Sequence, residues 1–322
     1  MSKIKIGFIG CGGIAQAHLK VLSNIPEVTL KAFCDVDIKR AEECAKKYGG
    51  NFYSQVEEMV EKEKLEAVYI CIPPFAHENQ EIICAENKIN LFVEKPVALT
   101  IKKAKEIERV IEKNGIITQV GYLLRFNKAM EEVREMLLDK GGPIGLVRLN
   151  RPSGIPSTSW WSFQEKSGGP IVEMITHHID RMRWIVGEIE RVYAEYDNIF
   201  HRGIKNFTID DVSTLSLRFK NKAIGIITSS CLSYNPDFYE RILAKNMEID
   251  IGWKEIRIYE KNKVTSIQFE GNPMQREDEH FINSVKEGKK TKIPYEEGVK
   301  TLEVTLSALK SAKTHQPVNL PL

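Results

Sequence analysis

The sequence predicts an α/β protein with two domains: an amino-terminal Rossmann domain with a doubly wound parallel sheet, and an α+β domain on an open, mostly antiparallel sheet. Through the first 122 residues, short apolar runs alternate with amphipathic helical segments, which is typical of a parallel sheet covered by helices on both faces. From Arg191 onward, short segments alternate apolar and polar residues, which indicates antiparallel strands with one face on helices. We therefore expect domains over residues 1–122 and 123–322.

The composition agrees with two ordinary globular domains. Of the 322 residues, 42% are hydrophobic, and a net charge of +2 favours neither nucleic acid nor a membrane surface as a partner. No apolar run approaches the roughly 20 residues of a membrane-spanning helix, and we expect no leader peptide. The six cysteines are scattered, so we expect a reducing, cytoplasmic setting, and without an H-E-x-x-H motif we expect no metal.

The chain opens with an apolar run that predicts a buried strand, followed by Gly-Cys-Gly-Gly and a helical pattern. Gly10, Gly12 and Ala15 fit the G-x-G-x-x-G/A fingerprint of a dinucleotide-binding turn. Gly10 permits a tight turn, Gly12 lets a pyrophosphate approach the backbone, and Ala15 lets the helix lie close to the strand. The N–H groups at the start of the helix, at Gly13 and Ile14, then face the phosphates. The alternative is an ordinary strand-to-helix turn.

A second predicted strand, residues 28–34, ends at Asp35. Asp35 lies about 20 residues after Ala15, where a carboxylate is expected to accept both hydroxyls of the adenosine ribose. It also repels a 2′-phosphate, because two charges ~4 Å apart at an effective dielectric of ~20 cost roughly 4 kcal/mol. We therefore predict NAD, with NADP less favoured although Lys39 and Arg40 follow closely. The alternative role for Asp35, a helix N-cap, suits Asp37 better.

Further strands are predicted at residues 67–72 and 91–93. Ligands of such sheets bind beyond the carboxyl ends of the strands, so the residues that follow the strands should lie along one rim. Pro73 and His77 follow one strand, and Glu94 and Lys95 follow the other. We assign these four residues to the cofactor side of the site. Lys95 is also the first candidate for chemistry, although a lysine is more often a solvated surface group.

The second half of the chain offers a loop and a helix with candidate residues. Arg125 either faces the substrate or forms a structural salt bridge. Trp161 lies in a loop rich in Ser, Gly and Pro. Its indole either packs against a sugar ring or the nicotinamide, or anchors the loop to the body of the protein. On the next helix the spacing of Glu173, His177 and Asp180 places all three on one face, so a carboxylate can orient an imidazole that acts as a base. A metal site on this face is a weaker alternative.

Four segments of the first half, GCGGIA, AFCDVD, ICIPPFAH and FVEKP, resemble the glucose-fructose oxidoreductase and inositol dehydrogenase family in order and spacing. The resemblance extends to the second half, where the family typically has G-G-x-x-x-D-x-x-x-H-x-x-D. Gly168, Gly169, His177 and Asp180 match that pattern, whereas Glu173 stands in place of the usual aspartate and leaves the substrate open.

This resemblance implies NAD(P)-dependent oxidation or reduction at a sugar or cyclic polyol carbon, with Lys95 in the active site. We therefore expect a dehydrogenase in which His177, Lys95 and Glu173 are catalytic, and Arg125 and Trp161 also contact the substrate. Alternatives within the family are a non-catalytic sugar-sensing regulator and an NAD-dependent glycosidase. We expect a homodimer or homotetramer formed through the carboxy-terminal sheet, whose outer face is rich in β-branched residues.

Overall fold

We describe residues 3–156, 159–232 and 237–322 from a computed structural model of the chain. The chain divides into two compact units. The first comprises Met1–Leu123 and Asn272–Val299, and the second comprises Leu124–Gly271 and Lys300–Leu322.

The first unit contains a six-stranded parallel sheet. Its strands are β1 (Ile4–Ile9), β2 (Val28–Cys34), β3 (Asn51–Tyr53), β4 (Ala67–Ile70), β5 (Asn90–Val93) and β6 (Thr118–Val120). The strand order is β3-β2-β1-β4-β5-β6, and every neighbouring pair is parallel. The helices between the strands are α1 (Gly13–Leu22), α2 (Ile38–Tyr48), α3 (Val56–Lys62), α4 (Gln80–Glu86) and α5 (Ile101–Asn114). The Rossmann prediction is therefore confirmed, and all the strands end at the same edge of the sheet.

The second unit contains a nine-stranded mixed sheet. Its strands are β7 (Ile144–Pro152), β8 (Ile189–Asp197), β9 (Val212–Phe219), β10 (Ile224–Ser230), β11 (Tyr239–Ala244), β12 (Glu248–Ile251), β13 (Glu255–Glu260), β14 (Lys263–Gln268) and β15 (Val318–Asn319). The order is β14-β13-β12-β11-β7-β10-β9-β8-β15, and only β7 and β10 run parallel. The prediction of a mostly antiparallel sheet is confirmed.

The remaining helices are α6 (Lys128–Met136), α7 (Gln164–Ser167), α8 (Thr176–Ile185), α9 (Pro273–Glu287) and α10 (Tyr295–Thr314). Residues of α6, α8 and α10 bury their apolar side chains with the inner face of the nine-stranded sheet and form the core of the second unit.

Helix α9 departs from the boundary that the sequence suggested. Phe281 and Ile282 of α9 belong to the apolar core of the six-stranded sheet, and Asp278 bonds to His18 of α1. These contacts explain why residues 272–299 pack with the first unit although they follow the second in the chain.

Candidate active site

The loop between β1 and α1 has the geometry of a nucleotide-binding turn. Gly10 has φ = +86°, a region that favours glycine, and its N–H donates to the Cys34 carbonyl at 2.8 Å. A methyl group at Gly10 would overlap the carbonyl oxygen of Cys71 and lie 2.8 Å from its carbonyl carbon. Gly10 is thus required by the tight approach of two strands.

Gly12 and Gly13 serve a different purpose. A methyl group on either residue would meet no protein atom within 4 Å, so the space in front of both is open. Helix α1 begins at Gly13, and no side chain caps its first N–H groups. Open space beside a positive helix end with uncapped N–H groups is compatible with a pyrophosphate, and the assignment of Gly12, Gly13 and Ile14 to the cofactor stays a prediction.

Asp35 is buried at the end of β2 and is fixed by the main chain. Its Oδ2 accepts from Cys11 N at 2.7 Å, and its Oδ1 accepts from Asp37 N at 2.8 Å. Asp37 is the N-cap of α2, with its side chain accepting from Lys39 N, so the cap was assigned to the correct aspartate. Each carboxylate oxygen of Asp35 retains a lone pair for a ribose hydroxyl.

Pro73 and His77 flank a short 3₁₀ turn after β4, Pro74–Ala76. His77 is buried, and its Nδ1 is hydrogen-bonded to the Glu81 carboxylate of α4. Its Nε2 has no hydrogen-bond partner among the described residues. Glu81 therefore fixes the orientation of the imidazole, whose second nitrogen is buried.

Glu94 and Lys95 follow β5 directly. The Glu94 carboxylate is buried within the protein, and the assignment of Glu94 to the cofactor side of the site stays a prediction. Its Oε1 accepts from His18 Nε2 at 3.0 Å, and its Oε2 accepts from the Lys95 main-chain N at 3.1 Å. The Lys95 side chain is half-buried at the rim of the parallel sheet.

In the second unit, the segment with Glu173 and His177 is not one regular α-helix. Residues Ile171–Ile175 form a π-helical turn, and α8 begins at Thr176. Hydrogen bonds of the i→i+5 type alter the angular spacing, so the α-helical argument for a shared face does not apply to Glu173. Both Glu173 and His177 are half-buried, whereas Asp180 is fully buried.

Arg125 and Asp180 form an ion pair inside the second unit. The Arg125 guanidinium donates from Nε and Nη2 to the Asp180 carboxylate at 2.7 and 2.6 Å, and both side chains are buried. Of the two roles considered for Arg125, this contact favours the structural salt bridge over substrate binding, because the bidentate fork is already used.

Two neighbouring side chains complete the description of this unit. Trp161 is half-buried in a 3₁₀ turn, Ser159–Ser162, and its role stays a prediction. His178 lies near Glu240 and Arg181, and burial lowers the pKa of His178 to about 4 despite the opposing effect of Glu240. His178 is therefore a neutral buried histidine rather than a partner of His177 in acid–base chemistry.

Neither a motif nor a spacing in the sequence singles out His18 and Asp278, which bond to each other in the first unit. His18 occupies the buried face of α1 together with Ala15, Leu19 and Leu22. A buried histidine on an apolar helix face needs polar partners, and this rule was the available signal. The partners themselves, Glu94 and Asp278, are 76 and 260 residues away in sequence.

Two family models match most of the chain. Residues 4–122 match the oxidoreductase family with an NAD-binding Rossmann fold, GFO_IDH_MocA, and residues 133–250 match the GFO/IDH/MocA C-terminal domain. The chain belongs to the GFO/IDH/MocA family. It is therefore an NAD-binding oxidoreductase, and the predictions of enzyme class and of NAD as cofactor are confirmed.

Relatives and solved structures extend this comparison. A myo-inositol 2-dehydrogenase of Thermotoga maritima is 30% identical over 70% of this chain and 68% of its own length. The NAD(+)-dependent scyllo-inositol 2-dehydrogenase of Bacillus subtilis is 25% identical over 99% of this chain and 96% of its own. The structure of a levoglucosan dehydrogenase with NADH and L-sorbose superposes with a TM-score of 0.91, covering 100% of both chains at 18% identity, which shows the shared fold.

Two further observations bear on the kind of site present. Across residues 3–156, 159–232 and 237–322, no group of three or more His, Cys, Asp or Glu side chains is arranged to hold a metal ion. Within the same ranges, no helix combines the length and apolar character needed to cross a membrane.

Proposed function

We propose that this member of the family transfers a hydride between a secondary hydroxyl carbon of a sugar, sugar derivative or cyclic polyol and NAD. The observation that carries the proposal is the nucleotide turn, where Gly12 and Gly13 leave open space at an uncapped helix start, in a chain of this oxidoreductase family. The inositol dehydrogenases among its relatives support the class of substrate.

Three residues would carry the chemistry of this chain. His177 takes the hydroxyl proton as general base, and Lys95 donates a hydrogen bond to the same oxygen and stabilises the charge that develops on it. Glu173 orients His177 or binds a neighbouring hydroxyl. General acid–base help of this kind contributes about 10²–10⁴-fold to a rate.

The cofactor-binding residues would act by position rather than by reaction. The N–H groups of Gly13 and Ile14 bind the pyrophosphate, Asp35 accepts from the adenosine ribose, and Pro73 and His77 lie on the cofactor side of the site. NAD, when bound, supplies the acceptor for the hydride. The protein's contribution is therefore orientation of the substrate carbon and management of the hydroxyl proton.

The test is a comparison of Lys95→Ala and His177→Ala with the native chain on a panel of myo-inositol, scyllo-inositol and levoglucosan. We expect NADH formation by the native chain on at least one polyol, and a loss of about 10²–10⁴-fold in kcat for each variant while NADH still binds. Lys103→Ala is the matched control, because Lys103 is a half-buried lysine of α5 paired with Glu106. Unchanged turnover in both variants would contradict the assignment, and NADH binding without turnover on any polyol would favour a sensor.

We also propose a homo-oligomer formed through the outer face of the nine-stranded sheet, and a cytoplasmic location. Ile224 and Ile226 of β10 and Tyr239 of β11 are exposed by 40%, 41% and 45% on this face. All six cysteines are buried free thiols, which supports a reducing compartment. A solution molar mass of one chain, measured by light scattering, would contradict the oligomer.

A further inference from the structure

A chain of buried hydrogen bonds lies directly behind Lys95 in the first unit. His18 of α1 bonds through Nδ1 to Asp278 of α9 at 2.7 Å and through Nε2 to Glu94 at 3.0 Å. His18 and Asp278 are completely buried, and Glu94 is 5% exposed. Three segments that are distant in sequence, namely α1, the end of β5 and α9, thus meet at one imidazole.

The surroundings of His18 are aromatic. The centroid of its ring lies 5.4 Å from the centroid of the Tyr69 ring and 4.9 Å from that of the Phe92 ring. Phe281 packs edge-on against both of these aromatic rings. Burial disfavours the imidazolium, but the hydrogen bonds and charges of Asp278 and Glu94 outweigh burial and raise the pKa of His18 to about 10. At neutral pH, His18 is therefore a cation that donates from both ring nitrogens to carboxylates.

The Glu94 carboxylate links His18 to the main chain of Lys95. One carboxylate oxygen accepts from His18, and the other accepts from the main-chain N–H of Lys95 at 3.1 Å. Gly121, which follows β6, closes the remaining side, since a methyl group there would lie 2.7 Å from Glu94 Oε1. These contacts leave the Glu94 carboxylate little room to move. The position of the Lys95 main chain therefore depends on the hydrogen bond between His18 and Glu94.

Helix α1, which carries His18, is also the helix that begins at the nucleotide-binding turn. We propose that His18 is a positioning residue. By holding Glu94 in place, His18 fixes the main chain at Lys95 and so keeps Lys95 at the edge of the sheet, where Lys95 meets the substrate oxygen. This inference rests on the proposed function only for the role of Lys95. It assigns a purpose to three buried ionisable groups whose side chains bond to one another.

The first experiment replaces His18 with Leu or with Gln in the full-length protein and measures kcat, KM, the NADH dissociation constant and the melting temperature. The substrate is the best of the three polyols named above. We expect His18→Leu to lower kcat by about 10- to 100-fold, because a displacement of about 1 Å at a reacting group can cost 10²-fold. We expect the NADH dissociation constant to stay within about threefold, because the glycine turn is untouched. His18→Gln should recover part of kcat, because its amide N–H can donate to Glu94.

The primary deuterium isotope effect on kcat is a measurement that a general loss of protein stability does not change. With a polyol deuterated at the reacting carbon, the effect on kcat should increase in His18→Leu, because hydride transfer becomes slower than product release. His201→Leu is the control, since His201 forms a buried 3.0 Å pair with Asp211 in the second unit. It should lower the melting temperature without changing kcat or the isotope effect.

A double-mutant cycle shows whether His18 affects kcat through Lys95 or through a general disturbance of the fold. If His18 acts through Lys95, adding His18→Leu to Lys95→Ala should cost little beyond Lys95→Ala alone. Additive losses would overturn the inference, and so would unchanged kcat in His18→Leu. If Lys95→Ala itself leaves turnover unchanged, the proposed role of Lys95 fails and the inference fails with it, whereas the proposed function is judged with His177→Ala as well. Asp278→Asn, which keeps the shape of the partner, applies the same cycle should His18→Leu fail to fold.

Discussion

At the scale of single residues, Asp35 has a structural role, and we predict a selective role for its charge. Both of its carboxylate oxygens accept main-chain hydrogen bonds, from Cys11 and Asp37, and both keep capacity for a ribose. The same negative charge opposes a 2′-phosphate. One side chain therefore fixes the nucleotide turn, and we predict that it also selects between the two nicotinamide cofactors.

We expect Asp35→Asn to shift the preference from NADH toward NADPH. The amide has no negative charge, so the roughly 4 kcal/mol repulsion of a 2′-phosphate is removed, while the loss of an acceptor weakens NADH binding by about tenfold. The dissociation constants of NADH and NADPH, measured by fluorescence, give the ratio directly. Asp37→Asn is the control, because Asp37 is an exposed helix cap. A ratio equal to that of the native chain would rule out the selective role of Asp35.

At the scale of elements, the loop between β1 and α1 contains one glycine that the fold requires and, two residues later, one that we expect to be required for cofactor binding. Gly10 is confined by the Cys71 carbonyl and a φ of +86°, whereas Gly12 faces open space. Substitutions at these two glycines should therefore have different consequences.

We expect Gly10→Ala to destabilise the apo protein by at least about 2 kcal/mol, from positive-φ strain and overlap with the backbone. Gly12→Ala should leave the melting temperature nearly unchanged but weaken NADH binding by about tenfold or more, because the methyl group occupies the space of the pyrophosphate. Thermal unfolding without ligand and NADH titration measure the two effects separately. Equal destabilisation by both substitutions would mean that the turn is an ordinary strand-to-helix connection.

The elements that could be predicted from sequence have local signals. The glycine fingerprint identified the turn and α1, and apolar runs identified β1, β2 and β5. Strand β3 was missed because only three residues, Asn51–Tyr53, pair with β2. The π-helical turn at Ile171–Ile175 was also missed, since the helical pattern of apolar residues does not show how the backbone hydrogen bonds are spaced.

At the scale of the whole molecule, the contacts that sequence could not predict join distant segments. His18 and Asp278 are 260 residues apart, and no periodicity or motif spacing pairs them. The same applies to Arg125 and Asp180, where the sequence left a substrate contact and a salt bridge as alternatives. Such buried pairs also determine how the stability of the protein depends on pH, because their charges exist in the folded state in an environment that the unfolded chain lacks.

Asp210 and Asp211 show this dependence with opposite signs. Burial, with a smaller contribution from the charge of Asp211, raises the pKa of Asp210 from 3.8 to about 7 and outweighs the opposing effect of a main-chain hydrogen bond at Asp210 itself. Asp211 is also buried, but the N–H groups of Ile199, His201 and Phe200 outweigh burial and lower its pKa. The folded state thus favours a neutral Asp210 and an ionised Asp211.

We expect Asp210→Asn to stabilise the protein at neutral pH. Between pH 3.8 and about 7 the folded state binds a proton at Asp210 that the unfolded state has released, so stability falls as the pH rises and stays low above that window. Asparagine cannot ionise, so the variant should lack this decline and should melt higher than the native chain at about pH 8, with little difference near pH 4. Melting temperatures across this range measure the effect. Asp211→Asn is the matched control and should melt lower at neutral pH, because its ionised form is the one that the folded state stabilises. Parallel melting curves for Asp210→Asn and the native chain at every pH would show that folding does not raise the pKa of Asp210.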